Sequence, residues 1–542
     1  MANTDLFHRL RRAMRLAHAS NHAGFGAAEA LQRWEHAAPD RGRRAFLRSA
    51  TLAAAGAAAG CAGLRDASVP TAPSSGAEVA VIGAGLAGLT VAWRLRQAGV
   101  PVSLYEAQTR LGGRVLSLRD HFADRQVAEL GAELIDTGHR HMRELAVELS
   151  LELDDFNDYR PELARALYWF EGRRRSEAEV VEAFRPIAAL IDADLGRLGS
   201  GDISWREPQN AQDLDRLSID DWFDRHGVSG WIRTLLSVAY TTEMGLETSE
   251  QSSLNLLTFI STQADPFHVF GDSDERFHTR GGNDRFVSEL ARRLEGAIQT
   301  GAVLEAVAQS DNGRYRLSLR RDGASTDVHA SHVVLALPVS LLREVKLDVE
   351  LPEIKRLAIA ELAYGSNAKL MIGFARRTWT QGAGCDGSTF SDLRYQSCWE
   401  TSRQQVGEAG ILTNFTGGRH GLEVGQGSAA EQARRAVTDL EQVFPGIAAQ
   451  RQDMTEARFH WPSNPWVRGS YVCPKPGQWT RLGGAIGEAV GRLRFAGEHC
   501  SGDNQGFMEG AVESGETTAR ELLQELGVVN TGASRRRMLG LG

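Results

Sequence analysis

The sequence predicts an α/β protein built on a Rossmann-type dinucleotide-binding domain. Two observations carry that expectation. Residues 79–106 read as an apolar strand, a glycine turn, an amphipathic helix and a second strand that ends in an acid. The chain also has 542 residues, 42% of them hydrophobic and 24% charged, which suits a globular protein of two to four domains at roughly 100–200 residues each.

Composition removes several function classes. Asp and Glu number 69 against 61 Lys and Arg, a formal charge of -8, whereas a general nucleic-acid binder shows a basic excess. No apolar run reaches the roughly 18 residues that cross a bilayer. Five Cys without a C-x-x-C pair form neither a disulfide scaffold nor a zinc spacing, so no metal is expected.

The first folded unit is VAVIGAGLAGLTVAWRLRQAGVPVSLYEA, starting at Val79. Gly83 permits the sharp turn after the strand, Gly85 leaves room for a pyrophosphate, and Gly88 lets the helix pack against the strand. Phosphates then meet the helix N-terminus, where free N–H groups and the macrodipole favour anions. Glu106, 23 residues after Gly83 and at the end of the second strand, is placed to accept ribose hydroxyls.

The continuation Leu111-Gly112-Gly113-Arg114 and the block Ala128-Glu129-Leu130-Gly131-Ala132-Glu133-Leu134-Ile135 make the chain resemble the flavin-containing amine oxidase family. That family includes monoamine oxidases, polyamine oxidases and L-amino-acid oxidases. The resemblance implies non-covalent FAD, with Gly113 and Arg114 at its diphosphate, and Gly131, Glu133 and Leu134 on a loop along the flavin. It runs over about residues 77–527. Arg280-Gly281-Gly282 resembles the turn at which the chain re-enters the FAD domain, and Val303 matches the position whose backbone contacts adenine. Leu493-Arg494-Phe495-Ala496-Gly497-Glu498-His499 and Gln505-Gly506-Phe507-Met508-Glu509-Gly510-Ala511 resemble the closing motif, which places Glu498 by the ribityl phosphate and the Met508 N–H by the flavin pyrimidine. The implied architecture interleaves the FAD domain (76–150, 281–340 and 485–527) with a mixed α+β substrate domain (151–280 and 341–484).

The same resemblance assigns the chemistry. Lys369, in Asn367-Ala368-Lys369-Leu370-Met371, matches the lysine beside flavin N5 that assists reaction with O2. Tyr471 and Phe507 match the two aromatic walls that flank the amine, Phe507 standing where monoamine oxidases have tyrosine. Ser470 replaces the cysteine that bonds the flavin in monoamine oxidases and cannot form a thioether. Glu133 occupies a point where an arginine grips the carboxylate in venom-type L-amino-acid oxidases, which favours a cationic amine; Arg140 is the alternative grip for an amino acid.

The expected reaction is hydride transfer from the amine-bearing carbon to flavin, imine hydrolysis and return of O2 as H2O2. Alternatives are an L-amino-acid oxidase, a desaturase-like or protoporphyrinogen-oxidase-like flavoprotein, a dehydrogenase with a cytochrome or quinone acceptor, and a non-catalytic flavoprotein. The candidate partners are a small amine or amino acid and O2, with a homodimer as a candidate assembly and no nucleic acid.

Both ends read differently. Arg43-Arg44 ahead of the Ala-rich run 49–60 resembles a twin-arginine export signal, which predicts a periplasmic enzyme delivered folded by that machinery. Ala58 to Cys61 resembles a lipoprotein cleavage box, making Cys61 a candidate lipid anchor. Residues 1–75 are thus expected to be signal and linker, and residues 528–542, with Arg535-Arg536-Arg537, a solvated tail.

Overall fold

A computed structural model describes residues 78–528 except 161, 165–166, 200 and 260–273. Arg43, Arg44, Cys61 and Arg535 to Arg537 lie outside the described residues. Strand β1 (Val79–Ile82) is wholly buried, and helix α1 (Leu86–Gln97) follows it after the glycine turn. Strand β2 (Val102–Tyr105) lies parallel to β1, with Val79 opposite Val102. A run of small and β-branched residues buried on both faces is the usual signature of a parallel sheet covered by helices.

The sheet has five parallel strands in the order Leu493–Phe495, His332–Leu335, β1, β2, Ile298–Gln299. One domain is thus assembled from three separated stretches of chain. Its covering layer is α1 and helix α2 (Met508–Glu525). They approach so closely that a Cβ on Gly515 would stand 2.8 Å from the Ala87 carbonyl oxygen. Arg94 on α1 ties the layer together, reaching Glu148 at 2.7 Å and Glu516 at 2.6 Å.

The second large sheet has seven strands. Its order is Arg451–His460, β3 (Ala368–Phe374), β5 (Gly410–Thr416), β4 (Ser397–Glu400), Thr389–Ser391, Leu167–Phe170 and Arg173–Arg175. All neighbours are antiparallel except Thr389–Ser391 with Leu167–Phe170. Alternation along β3 decides what faces where. Leu370, Ile372 and Phe374 join a core with Ala433, Val437 and Leu440 of the helix Ala429–Val443. Lys369 lies on the opposite face, with Phe415 and Phe459 as its register partners. A helical layer (Glu177–Leu195, Ile219–Arg225, Gly230–Met244 and Ser253–Phe259) packs Phe184, Trp222, Phe223 and Leu235 into a separate core.

No helix among the described residues is long and apolar enough to cross a membrane, and no cluster of metal-ligating side chains occurs among them. Gly88 shows how tightly the first unit is built, since a Cβ there would lie 1.9 Å from the Gly83 carbonyl oxygen. Gly88→Ala must push α1 off the turn. We expect it to lower unfolding free energy by about 3 kcal/mol or more and to abolish cofactor retention, read from urea midpoints and the visible spectrum of the purified protein.

Candidate active site

A cavity of about 340 Å³ runs from the β1–α1 turn to the N-terminus of α2. Gly83, Gly85, Glu106, Gly113 and Arg114 line it, and Val303 joins them from a separate sheet. Glu498, Phe507 and Met508 line it as well. Gly88, by contrast, lies beneath the turn.

The donor set fits a dinucleotide flavin. Gly85 caps α1 with no side chain, and a Cβ built there meets nothing within 4 Å, so the open space on the cavity wall is that left by the missing side chain. Anionic oxygens can then approach the helix end. The two Glu106 oxygens each accept one backbone N–H, from Ala84 at 2.8 Å and Gln108 at 2.9 Å. Their remaining lone pairs are available to ribose hydroxyls. Arg114 Nη1 donates to Glu498 Oε1 and to the Ser470 carbonyl, both at 2.8 Å. Burial raises the Glu498 carboxyl, but Arg114, His499 and the Gly506 N–H outweigh burial and hold it below the usual carboxylate range. The resemblance set Arg114 and Glu498 at different parts of the cofactor; the structure joins them in one ion pair on the cavity wall.

His499, beside Glu498, also lines this cavity and was missed from sequence. Its Nδ1 is buried without a hydrogen-bond partner, and burial pulls the ring down to about 4, so it is neutral at physiological pH. An unsatisfied buried polar atom on a residue lining this space suits a polar ligand atom.

Tyr471 and Phe507 both line a second cavity of about 20 Å³, which shares Gly506 and Phe507 with the first, and a Cβ on Gly506 would stand 3.5 Å from the Tyr471 ring. The Tyr471 hydroxyl donates to the Glu243 carbonyl. Burial, with Glu243 nearby, pushes that phenol well above its ordinary value, so it stays neutral. Phe507 meets the His139 ring edge-on at 5.0 Å. Trp461 is packing: its Nε1 donates to the Leu130 carbonyl, and its ring abuts Gly131.

Lys369 is fully buried but not free. Its Nζ donates to Glu133 Oε2 at 2.5 Å and to the Glu129 carbonyl at 3.2 Å. The other Glu133 oxygen accepts from Trp399 Nε1 at 2.9 Å and Thr401 Oγ1 at 3.1 Å. Burial raises the Glu133 carboxyl, yet Lys369, Trp399 and His278 override it and leave the group well ionised. Glu133 therefore offers no unpaired charge to a cationic amine, which removes the ground for preferring amines over amino acids. Arg140 is exposed; among the described residues its guanidinium meets His141, and it does not line the cavity. Leu134 turns to Phe156 as a small apolar cluster.

Ser470 Oγ donates to Asn367 Oδ1 at 2.7 Å. Cys473 is buried against Asn255, and burial pushes the Cys500 thiol up to about 12, so neither is a ready nucleophile. Trp399 and Thr401 lie in no motif, and His499 ends the closing motif without a role assigned to it there.

Two consequences are measurable. Removing one partner of the buried pair strands the other, so Lys369→Met and Glu133→Gln should each cost about 3–5 kcal/mol. The double variant should recover a coupling of about 3 kcal/mol in a urea double-mutant cycle. His499 contributes a pH slope. Below about 6.5 the unfolded chain takes up a proton that the folded ring refuses until about 4, so stability falls with falling pH across that window. From pH 6.5 to 4.5 the loss should be about 2–3 kcal/mol, and His499→Gln should remove that part of the slope in urea unfolding at the two pH values.

Residues 86–523 match the model of the flavin-containing amine oxidoreductases. An L-amino acid dehydrogenase of Synechocystis sp. is 24% identical over 469 residues, covering 83% of this chain and 96% of that protein. The flavin-containing amine oxidase A of Canis lupus familiaris is 25% identical over 466 residues, covering 83% and 86%. Among solved structures, the cyclohexylamine oxidase from Brevibacterium oxydans shares the fold at a TM-score of 0.72 and 21% identity, covering 83% of this chain and 99% of that one. With the family model spanning most of the chain, and a cavity whose donors suit FAD held without a covalent bond, the chain belongs to the flavin-containing amine oxidoreductase family.

Proposed function

We propose that the protein oxidises the carbon–nitrogen bond of a small amino compound where the first cavity, at Phe507 and Met508, adjoins the pocket that Phe507 shares with Tyr471. One observation carries this reading. The cavity that suits the dinucleotide shares Gly506 and Phe507, at the N-terminus of α2, with the pocket that Tyr471 lines, so the cofactor-holding and substrate-facing surfaces adjoin. Bound FAD supplies the two-electron acceptor.

The chain's own residues set the conditions for that transfer. The aromatic walls exclude water and offer electron-rich faces to the amino compound. Tyr471 is a wall and not a proton donor, because its hydroxyl is committed to the Glu243 carbonyl. A carbon–hydrogen bond is easier to oxidise when the attached amine is neutral. A buried setting whose Lys369 and Glu133 cancel each other favours the amine that has lost its proton. The dipole at the start of α2 favours negative charge developing against Met508.

O2 is the acceptor we favour, with Lys369 close to the same loop; a relative named as a dehydrogenase keeps a quinone or cytochrome acceptor as the second reading. The Arg43-Arg44 pair supports export of the loaded protein to the periplasm.

The test is anaerobic titration of the FAD-loaded protein with a panel of amines, polyamines and L-amino acids. Flavin bleaching by at least one member is expected, followed by recovery with stoichiometric peroxide when air enters. Bleaching without recovery in air, but with recovery on adding a quinone, would select the dehydrogenase reading. A flavin that no member reduces sinks the proposal.

A further inference from the structure

The pocket that Phe507 shares with Tyr471 is small, at about 20 Å³. A single water needs about 10–15 Å³ of such free space, so the pocket admits one group about the size of a methyl. Met244, Val472, Pro474 and Trp479 also line it. Met244 is the last residue of the helix Gly230–Met244, and Trp479 stands on a short helix, Gln478–Leu482. Trp479 is the largest side chain on the pocket wall.

The indole is held in place. Its Nε1 donates to Asn255 Oδ1 at 2.6 Å, and Asn255 Nδ2 donates to the Pro474 carbonyl at 3.0 Å. Asn255 is fully buried, so turning the ring away would strand a polar atom with no water to replace the indole. The helix beneath it is pinned as well. The Thr480 N–H and hydroxyl both donate to Asp215 Oδ2 at 2.8 Å, and Gln478 Nε2 donates to the Glu361 carbonyl at 2.7 Å. A tryptophan that can neither turn nor recede sets a fixed limit on what enters beside it.

Resting on the proposed oxidation of an amino compound, we infer that this pocket takes the apolar tail of the substrate and that Trp479 limits its length, so that the compounds oxidised are short, straight-chain and aliphatic. Met244, Val472, Pro474, Trp479 and the two aromatic walls offer carbon surface to such a tail. A polar tail would lose water there without full replacement. Glu243 also lines the pocket, and its carbonyl is occupied by the Tyr471 hydroxyl. Trp479 is thus a specificity-determining residue that acts through size alone.

The experiment uses the FAD-loaded full chain with two straight-chain series: n-alkylamines from ethylamine to n-hexylamine, and L-amino acids from alanine to norleucine. In a series that reduces the flavin, kcat/KM should peak at one chain length and fall about 10-fold or more with the next carbon. Trp479→Leu should move the peak about two carbons longer, into the space the ring leaves. The ratio of the longest member to the shortest should rise about 100-fold, mainly through KM. Trp479→Phe keeps a smaller ring and should move the peak about one carbon; it carries the comparison should the Leu variant not load flavin. A ratio taken within one variant is blind to a general loss of stability, which scales all members alike. A peak that stays in place in both variants overturns the inference, and so does a wild type with no length limit. So does a wild type reduced best by phenethylamine or L-phenylalanine. A preference for 1,3-diaminopropane over n-butylamine, or for 2,4-diaminobutyrate over norvaline, also overturns it, because the pocket would then take a charged tail in place of a methyl. All these outcomes leave the amine oxidase reading intact. A wild type reduced by no compound of any class overturns both.

Discussion

The buried ion pair between Lys369 and Glu133 is the constraint on which the rest of the site depends. Glu133 follows the short hairpin strand Ala128–Glu129, beside the cavity-lining Ala132, and Lys369 lies on an interior strand of the seven-stranded sheet. Their contact at 2.5 Å therefore ties that loop to the seven-stranded sheet beside the cavity. Two buried charges are expensive unless their remaining hydrogen-bond sites are filled. Here Trp399 and Thr401 take the second carboxylate oxygen, and the Glu129 carbonyl takes a further ammonium hydrogen. The sequence of β3 follows from that need: a single cation on the face turned to the loop, with Leu370, Ile372 and Phe374 on the face turned to the helix.

A second pair does the same work within the dinucleotide domain. Arg114 and Glu498 are 384 residues apart in sequence, and both face the cavity. Arg114 also grips the Ser470 carbonyl, one residue before Tyr471. Glu498 accepts the Gly506 N–H, one residue before Phe507. The pair that closes the cavity wall therefore also sets the backbone on which both aromatic walls stand. Interleaving of the chain is the structural cost of this arrangement, because no single contiguous stretch supplies the turn at Gly85, the strand at Val303 and the helix start at Met508.

Where the sequence was legible, the signal was local. The run from Val79 to Glu106 could be read because strand, turn, helix and acid follow one another at fixed spacing, and each residue type answers a steric or electrostatic need within that unit. Lys369, Tyr471 and Phe507 could be named only through motif resemblance, and their partners could not be named at all. Glu133 and Lys369 are 236 residues apart, and each alone reads as an ordinary polar residue. The expectation that Glu133 would face a cationic substrate lost its footing because pairing across sheets is a tertiary fact with no trace in spacing. His499 escaped notice for a similar reason: beside Glu498 it looks like a second polar residue, and only burial shows its Nδ1 to be without a partner. Trp399 and Thr401 sit on a strand and its extension that carry no glycine pattern or charge repeat.

Taken together, the ionisable groups around the aromatic walls are arranged so that almost none acts as a free charge. Lys369 and Glu133 cancel, Arg114 and Glu498 cancel, His499 is neutral, and Tyr471 is held as a neutral phenol by burial and by the Glu243 carbonyl. Such a site is poorly suited to general acid–base catalysis, which needs a group with a pKa near the working pH and a path to the reacting atom. It is well suited to hydride removal, where the substrate must arrive without a proton on nitrogen and water must be kept away. On the proposed reading, selectivity then rests on shape at the two aromatic rings and not on the amine's charge, since Lys369 with Glu133 and Arg114 with Glu498 are already paired.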